Sequence, residues 1–177
     1  MQTNYATPAR GKGKHEEEAA VHDGSSYASI KLVPFGQLEA AFARYESTHD
    51  HSKLIGGSAG KLLDDTQSDG VIDSLRLSRA LYDCGIVSLH PKTYTGEVMT
   101  DREGRGYIAS VTSWKEQLSR LLGAPHHIRL PHDLVGVHGI LLFCGTPHGD
   151  RLTLSGRLDP SVSFDDARDG VYAFALR

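Results

Sequence analysis

Two cysteines, Cys84 and Cys144, are the only thiols in a chain of 177 residues. A thiol nucleophile therefore has two addresses, and a disulfide scaffold has too few bridges. One bridge between the two is one reading, and free buried thiols are the preferred one. Cys144 closes the apolar run Gly139-Ile140-Leu141-Leu142-Phe143-Cys144, where a thiol is inert core. Cys84 ends a helix expected over about Asp73 to Asp83, where the negative end of the helix dipole disfavours thiolate. Ser74, at the start of that helix, is electrostatically better placed. It has no neighbouring base in sequence, and N-terminal capping accounts for it equally well.

Histidine is the other chemistry-bearing type. His126, His127, His132, His138 and His148 cluster late in the chain, with His49 and His51 upstream. None shows the His-Glu-x-x-His spacing of a helical metal site, and no cysteine pair supports zinc. Solvated loop histidines are the expectation, and no metal or cofactor is expected. The stretch Gly56-Gly57-Ser58-Ala59-Gly60-Lys61 invites a phosphate-loop reading. It lacks that motif's spacing and carries Leu62 where a Ser or Thr belongs, so a tight backbone turn is the better account.

Composition and periodicity give the elements around these residues. Residues 1–29 are rich in Gly, Lys, Glu, Ser and Ala, set Arg10, Lys12 and Lys14 against Glu16, Glu17, Glu18 and Asp23, and read as a polar tail with at most a weak helix at Glu16–His22. The body, 30–177, is expected to be one domain. Phe35, Leu38, Phe42 and Tyr45 form a helical stripe, followed by a polar link and a loop at Asp64–Gly70. Asp73 is expected to cap the helix that Cys84-Gly85 ends. Residues 90–106 read as a long loop and Tyr107–Val111 as a short strand. Ser113 is expected to cap a helix carrying Trp114, Leu118, Leu121 and Leu122, with Glu116 completing a capping box, and Gly123-Ala124-Pro125 stops it. Gly139–Cys144, Arg151–Ser155 and Gly170–Leu176 read as strands. Helices first and strands last argue an α+β fold with an antiparallel sheet.

Composition excludes several classes. The formal net charge is −3, with 19 basic and 22 acidic residues, against a general electrostatic nucleic-acid binder. Apolar residues make up 39% and charged residues 23%, a globular balance, and no run approaches a membrane span. The ten histidines make the net charge responsive to mild acidification. The first ten residues show no apolar segment of a secretory signal.

The order of these pieces resembles one family, the group-four amidase effectors of type VI secretion, papain-like α+β cysteine amidases that cut peptidoglycan stem peptides. Ile55-Gly56-Gly57-Ser58-Ala59-Gly60-Lys61 is similar to that family's Gly-Gly-x-x-Gly-Lys segment. Leu75-Arg76-Leu77-Ser78-Arg79-Ala80-Leu81, then Gly85, resembles its nucleophile-bearing helix, Ile-Arg-Met-Ser-x-x-Leu before a Gly. Tyr107-Ile108, the Trp114–Leu122 helix and Gly123-Ala124-Pro125 resemble its Tyr-Ile strand, the next helix and Gly-x-Pro. Gly139–Phe143 and Leu152-Thr153-Leu154 before Gly156 resemble its central strands, so that the likeness runs over about residues 35–176.

The departures carry the functional expectation. The resemblance puts the family's nucleophilic Cys at Asp73, with Ser74 next to it. It puts the family's His at Arg151, or at Asp150 with a one-residue slip, and the third, acidic member nearest Asp159. A papain-like site needs a thiolate held at a helix N-terminus by an imidazolium. Aspartate is a poor acyl-transfer nucleophile, and arginine is no base near neutrality. The resemblance therefore implies a catalytically inactive relative, with Arg151 expected to pair with Asp73 across the former site. It implies synthesis in a bacterial cytoplasm, export by a type VI machine without a signal peptide, and binding of a protein target or an apparatus component. One alternative is an active peptidoglycan amidase with a displaced nucleophile, Ser74 or Cys84, and a nearby histidine. The other is a cytoplasmic binding domain unrelated to secretion.

Overall fold

A computed structural model describes residues 30–45, 48–89, 98–158 and 163–176. The expected tail at 1–29 lies outside the described residues, as does Asp159. After a 3-10 turn at Ile30–Leu32 come four α-helices: α1 (Phe35–Ala43), α2 (Thr48–Ile55), α3 (Gly57–Asp65) and α4 (Asp69–Asp83). A small hairpin follows, β1 (Met99–Thr100) with β2 (Gly106–Tyr107), then α5 (Val111–Leu122). Strands β3 (His126–Ile128), β4 (Gly139–Cys144), β5 (Arg151–Leu154) and β6 (Gly170–Ala175) complete it. They form one antiparallel sheet in the order β3-β6-β4-β5. The α+β class read from the sequence is the class observed.

Strand alternation divides the sheet's residues between two cores. Ile140, Leu142, Cys144, Leu152, Leu154 and Phe174 face the helices and join Leu38, Phe42, Leu75, Leu81, Trp114 and Leu118 in the main core. Ile128, Leu141, Phe143, Val171 and Ala173 face the other way, under Leu134, Val137 and Phe164. β4 is consequently buried at every position, which is why it reads as an unbroken apolar run. α4 lies at the centre of the helical layer, packed against α1, α3, α5, β2 and β5. Its buried face runs through Gly70, Ser74, Leu77, Ser78 and Leu81, at helical spacing.

Several boundaries differ from expectation. α4 begins at Asp69, not Asp73, so Asp73 lies one turn inside the helix and caps nothing. The expected loop at 64–70 shrinks to Thr66–Ser68, because α3 runs on to Asp65. Gly70 explains the early start: a Cβ there would stand 2.1 Å from the Asp150 carbonyl oxygen, so glycine lets the first turn of α4 close against the β4–β5 connection. The polar link before Gly56 is helix α2. α5 starts at Val111 under Ser110, whose Oγ accepts from the Ser113 N–H at 3.1 Å; Ser113 and Glu116 do not form the expected capping box. The strand expected over 107–111 stops at Tyr107, because the Ile108 N–H turns inward to the Ser78 Oγ at 3.1 Å. Of the expected long loop, 90–97 lie outside the described residues, and the remainder holds the β1–β2 hairpin. No helix among the described residues is long and apolar enough to cross a membrane.

Candidate functional site

The first turns of α4 and the start of β5 meet at a cluster of four charges. Asp73 projects from α4 and is 4% exposed. Its Oδ2 accepts from Arg151 Nε at 2.9 Å and from the Leu152 N–H at 3.3 Å. Arg76, one turn on, approaches Asp73 Oδ1 at 3.8 Å. Arg151 also donates from Nη1 to Asp69 Oδ2 at 3.2 Å, so its guanidinium bridges two carboxylates of one helix face. The contact expected between Asp73 and Arg151 is thus formed.

Sequence and fold set this geometry together. Asp69 and Asp73 are four residues apart on α4 and share a face. Arg151 opens β5, beside the Asp150 carbonyl that Gly70 admits. The sequence reading missed Asp69 as a partner because it started the helix four residues late; the i, i+4 spacing to Asp73 was the available signal. Burial pushes the Asp73 carboxyl above its ordinary range, against the pull of Arg151, the Leu152 N–H and Arg76. A carboxylate and a guanidinium in this arrangement hold charge and orient α4 on β5. The pair offers no thiolate, and the guanidinium keeps its proton near neutrality.

The fallback nucleophiles are placed elsewhere. Ser74 is fully buried inside α4, and its Oγ donates to the Gly70 carbonyl at 2.7 Å. Its own carbonyl accepts from Trp114 Nε1 at 3.1 Å. Cys84 caps the far end of α4, as expected, and burial together with the charge of Asp83 pushes its thiol up. Cys144 is buried in β4, and burial and Asp150 push its thiol up too. Both cysteines are free. Among the described residues, no histidine hydrogen-bonds to Ser74, Cys84 or Cys144.

Among the described residues, the histidines do not converge on this cluster. His126, His127 and His138 line a groove of about 400 Å³ at the β3 edge, with Ile128, Asp133, Val137 and Leu176. His138 also packs on Phe35, and His127 stacks on Tyr172. His132 reaches Asp133 at 3.4 Å, and His148 sits in an exposed turn. His51 is buried edge-on to Tyr45. Among the described residues, no three His, Cys, Asp or Glu side chains are grouped so as to hold a metal. The glycine-rich stretch is a turn into α3: Gly57, at φ 62°, packs so closely on the β1–β2 hairpin that a Cβ would stand 2.3 Å from the Thr100 carbonyl oxygen. Ser58 Oγ accepts from the Thr100 N–H at 2.8 Å and fastens the same contact.

No protein-family model and no curated protein matches the chain. Solved structures do. The effector Tae4 from Salmonella typhimurium, in complex with the immunity protein Tai4 from Enterobacter cloacae, is 19% identical with a TM-score of 0.64, over 81% of this chain and 98% of that one. The type VI effector–immunity complex Tae4–Tai4 from Enterobacter cloacae is 20% identical with a TM-score of 0.63, over 81% and 98%. The type VI effector Tae4 from Enterobacter cloacae alone is 20% identical with a TM-score of 0.62, over 81% and 96%. The chain has the fold of these effectors, as the resemblance read from its motifs implied.

Proposed function

We propose that this chain is a non-hydrolytic counterpart of the type VI amidase effectors, which acts by binding a protein and not by cutting peptidoglycan. The observation that carries the reading is the Asp73–Arg151 pair, joined at 2.9 Å. It stands at the two positions that the resemblance gives to the nucleophilic Cys and its His. Acyl transfer there would need a nucleophile that relinquishes a proton to a neighbouring base. Asp73 has its Oδ2 committed to Arg151 and the Leu152 N–H, and Arg151 takes up no proton. The pair keeps the polarity of a thiolate–imidazolium couple, negative on the helix and positive on the strand, without its reactivity.

The effector-like fold further supports synthesis in a bacterial cytoplasm and export by a type VI machine without a signal peptide. Two of the similar structures hold Tae4 together with Tai4, which makes a protein the expected class of partner here. That partner is a target in the recipient cell or a component of the export apparatus.

The test is hydrolysis and export measured together. Purified chain incubated with peptidoglycan should release no stem-peptide fragments detectable by mass spectrometry. Fragment release that Ser74→Ala or Cys84→Ala abolishes would restore the active-amidase reading. The chain should also appear in the medium of cells with a working type VI machine and be missing from the medium of cells without one. Equal amounts in both media would end the export half of the proposal.

A further inference from the structure

The four-stranded sheet ends on one side at β3, an edge with no strand beyond it among the described residues. The backbone groups of His126–Ile128 that point away from β6 have no backbone partner there among the described residues. The segment that follows builds a patch beside this edge. Val135 is 85% exposed, the highest exposure of any large apolar residue among those described, and Leu130 is 52% exposed. Val135 sits between Asp133, Gly136 and Val137, all of which line the groove of about 400 Å³ whose apolar wall is Ile128, Val137 and Leu176. A protruding apolar side chain and a hollow with apolar walls therefore occur next to each other on one short segment.

The charges of the patch are also of both signs. Asp133 Oδ2 accepts the N–H groups of Arg129 and Leu130 at 3.1 and 3.0 Å, and these donors hold its carboxyl below its ordinary range. Arg129 is exposed, and its charge and that of His132, 3.4 Å from Asp133 Oδ1, already act on Asp133 within one chain. An acid and a base four residues apart, a knob and a hollow side by side, and an unpaired strand edge share one property: the surface is complementary to itself. A two-fold axis turns such a surface into an isologous interface, in which each knob meets the other copy's hollow.

We propose that the β3 edge is a homodimer interface, in which two copies of the chain pair β3 with β3 in antiparallel fashion. The two sheets join into one of eight strands. Val135 of each copy enters the other's groove against Ile128, Val137 and Leu176, and Arg129 of each copy faces the other's Asp133. This surface is separate from the Asp73–Arg151 cluster, so the inference stands or falls independently of the proposed function.

Sedimentation of the full-length chain at about 100 µM tests it, because mass action favours the dimer at high concentration. The wild type should sediment at twice the chain mass. Val135→Asp introduces a charge at a solvent-exposed position, which leaves folding intact, and should weaken dimerisation about 30-fold or more. Arg129→Glu should weaken it less. Val87→Asp, at another highly exposed apolar residue remote from β3 in sequence, should leave the dimer unchanged. Hydrogen exchange at His126–Ile128 should slow as concentration rises through the dimerisation range. A wild-type monomer at that concentration overturns the proposal. So do a Val135→Asp variant that dimerises like wild type, a Val87→Asp variant that dissociates equally, and a dimer whose β3 amides gain no protection.

Discussion

Two buried aspartates in this molecule each meet an arginine Nε, and they titrate in opposite directions. Asp101, on the β1–β2 hairpin, receives Arg105 Nε at 2.7 Å; Asp73, on α4, receives Arg151 Nε at 2.9 Å. Both aspartates are 4% exposed. Burial pushes both carboxyls up, yet Asp101 ends below its ordinary value and Asp73 above it. Depth and backbone both make the difference: Asp73 has more protein packed around its carboxyl, so desolvation outweighs its partners, and its backbone donors are fewer. Asp101 Oδ1 accepts the N–H groups of Glu103 and Arg105, both at 2.9 Å, from a turn only a few residues long. Asp73 receives one N–H, from Leu152 at 3.3 Å, because the N–H groups around it on α4 are committed to the helix. A turn folds its own donors around a carboxylate; a helix interior offers none. The surroundings of Asp101 therefore favour its ionised form, whereas ionised Asp73 is held against burial by its partners.

Removing the arginines should have the largest effect. Arg151→Ala leaves a buried carboxylate with the Leu152 N–H and the more distant Arg76, and should destabilise the fold by about 3–5 kcal/mol in urea denaturation. Part of that loss should be recovered on acidification, as Asp73 takes up a proton. A loss under about 1 kcal/mol at neutral pH would show that the site is not a coupled charge pair. Arg105→Ala should cost only about 1 kcal/mol, because two backbone donors stay on Asp101. Equal losses from the two variants would show that the two carboxylates depend on their arginines alike.

The smallest effects, and the most diagnostic, are the signs of two pH slopes. Asp73 has a raised carboxyl, so its contribution favours folding below the unfolded value near 3.8 and is lost as pH rises through the folded one. Wild type measured against Asp73→Asn should lose relative stability as pH rises above about 4. Asp101 has a lowered carboxyl, so its contribution is present above 3.8 and is lost as pH falls through the folded value. Wild type measured against Asp101→Asn should lose relative stability only below about pH 4. Slopes of the same sign would show that the two carboxyls do not differ in depth and backbone donors as described.

These two sites were not equally legible in the sequence. The strands were, because β4 is an unbroken apolar run and β5 and β6 alternate around core residues. The Asp73–Arg151 contact spans 78 positions, and no periodicity points to it; it came from the resemblance of short motifs to a family. Asp69 was hidden because a Ser, Asp and Gly stretch reads as loop, while here Gly70 lets the helix start early by admitting the Asp150 carbonyl. The hairpin around Asp101 was hidden in a stretch rich in Gly and charge, where two-residue strands are too short to alternate. α2, with the sequence Thr48-His49-Asp50-His51-Ser52-Lys53-Leu54-Ile55, is largely polar and takes its apolar anchor from Ile55, which is buried in the main core.

The Asp73–Arg151 pair is chemically durable. A thiolate is consumed by peroxide, alkylating reagents and soft metal ions. A carboxylate and a guanidinium react with none of them under mild conditions. The surface formed where α4 meets β5 should therefore stay chemically the same through an oxidising exposure, with the nearest thiol along the chain, Cys144, shielded in β4. Treatment with peroxide should leave the architecture of this corner unaltered, a tolerance that a cysteine-based site on the same scaffold would lack.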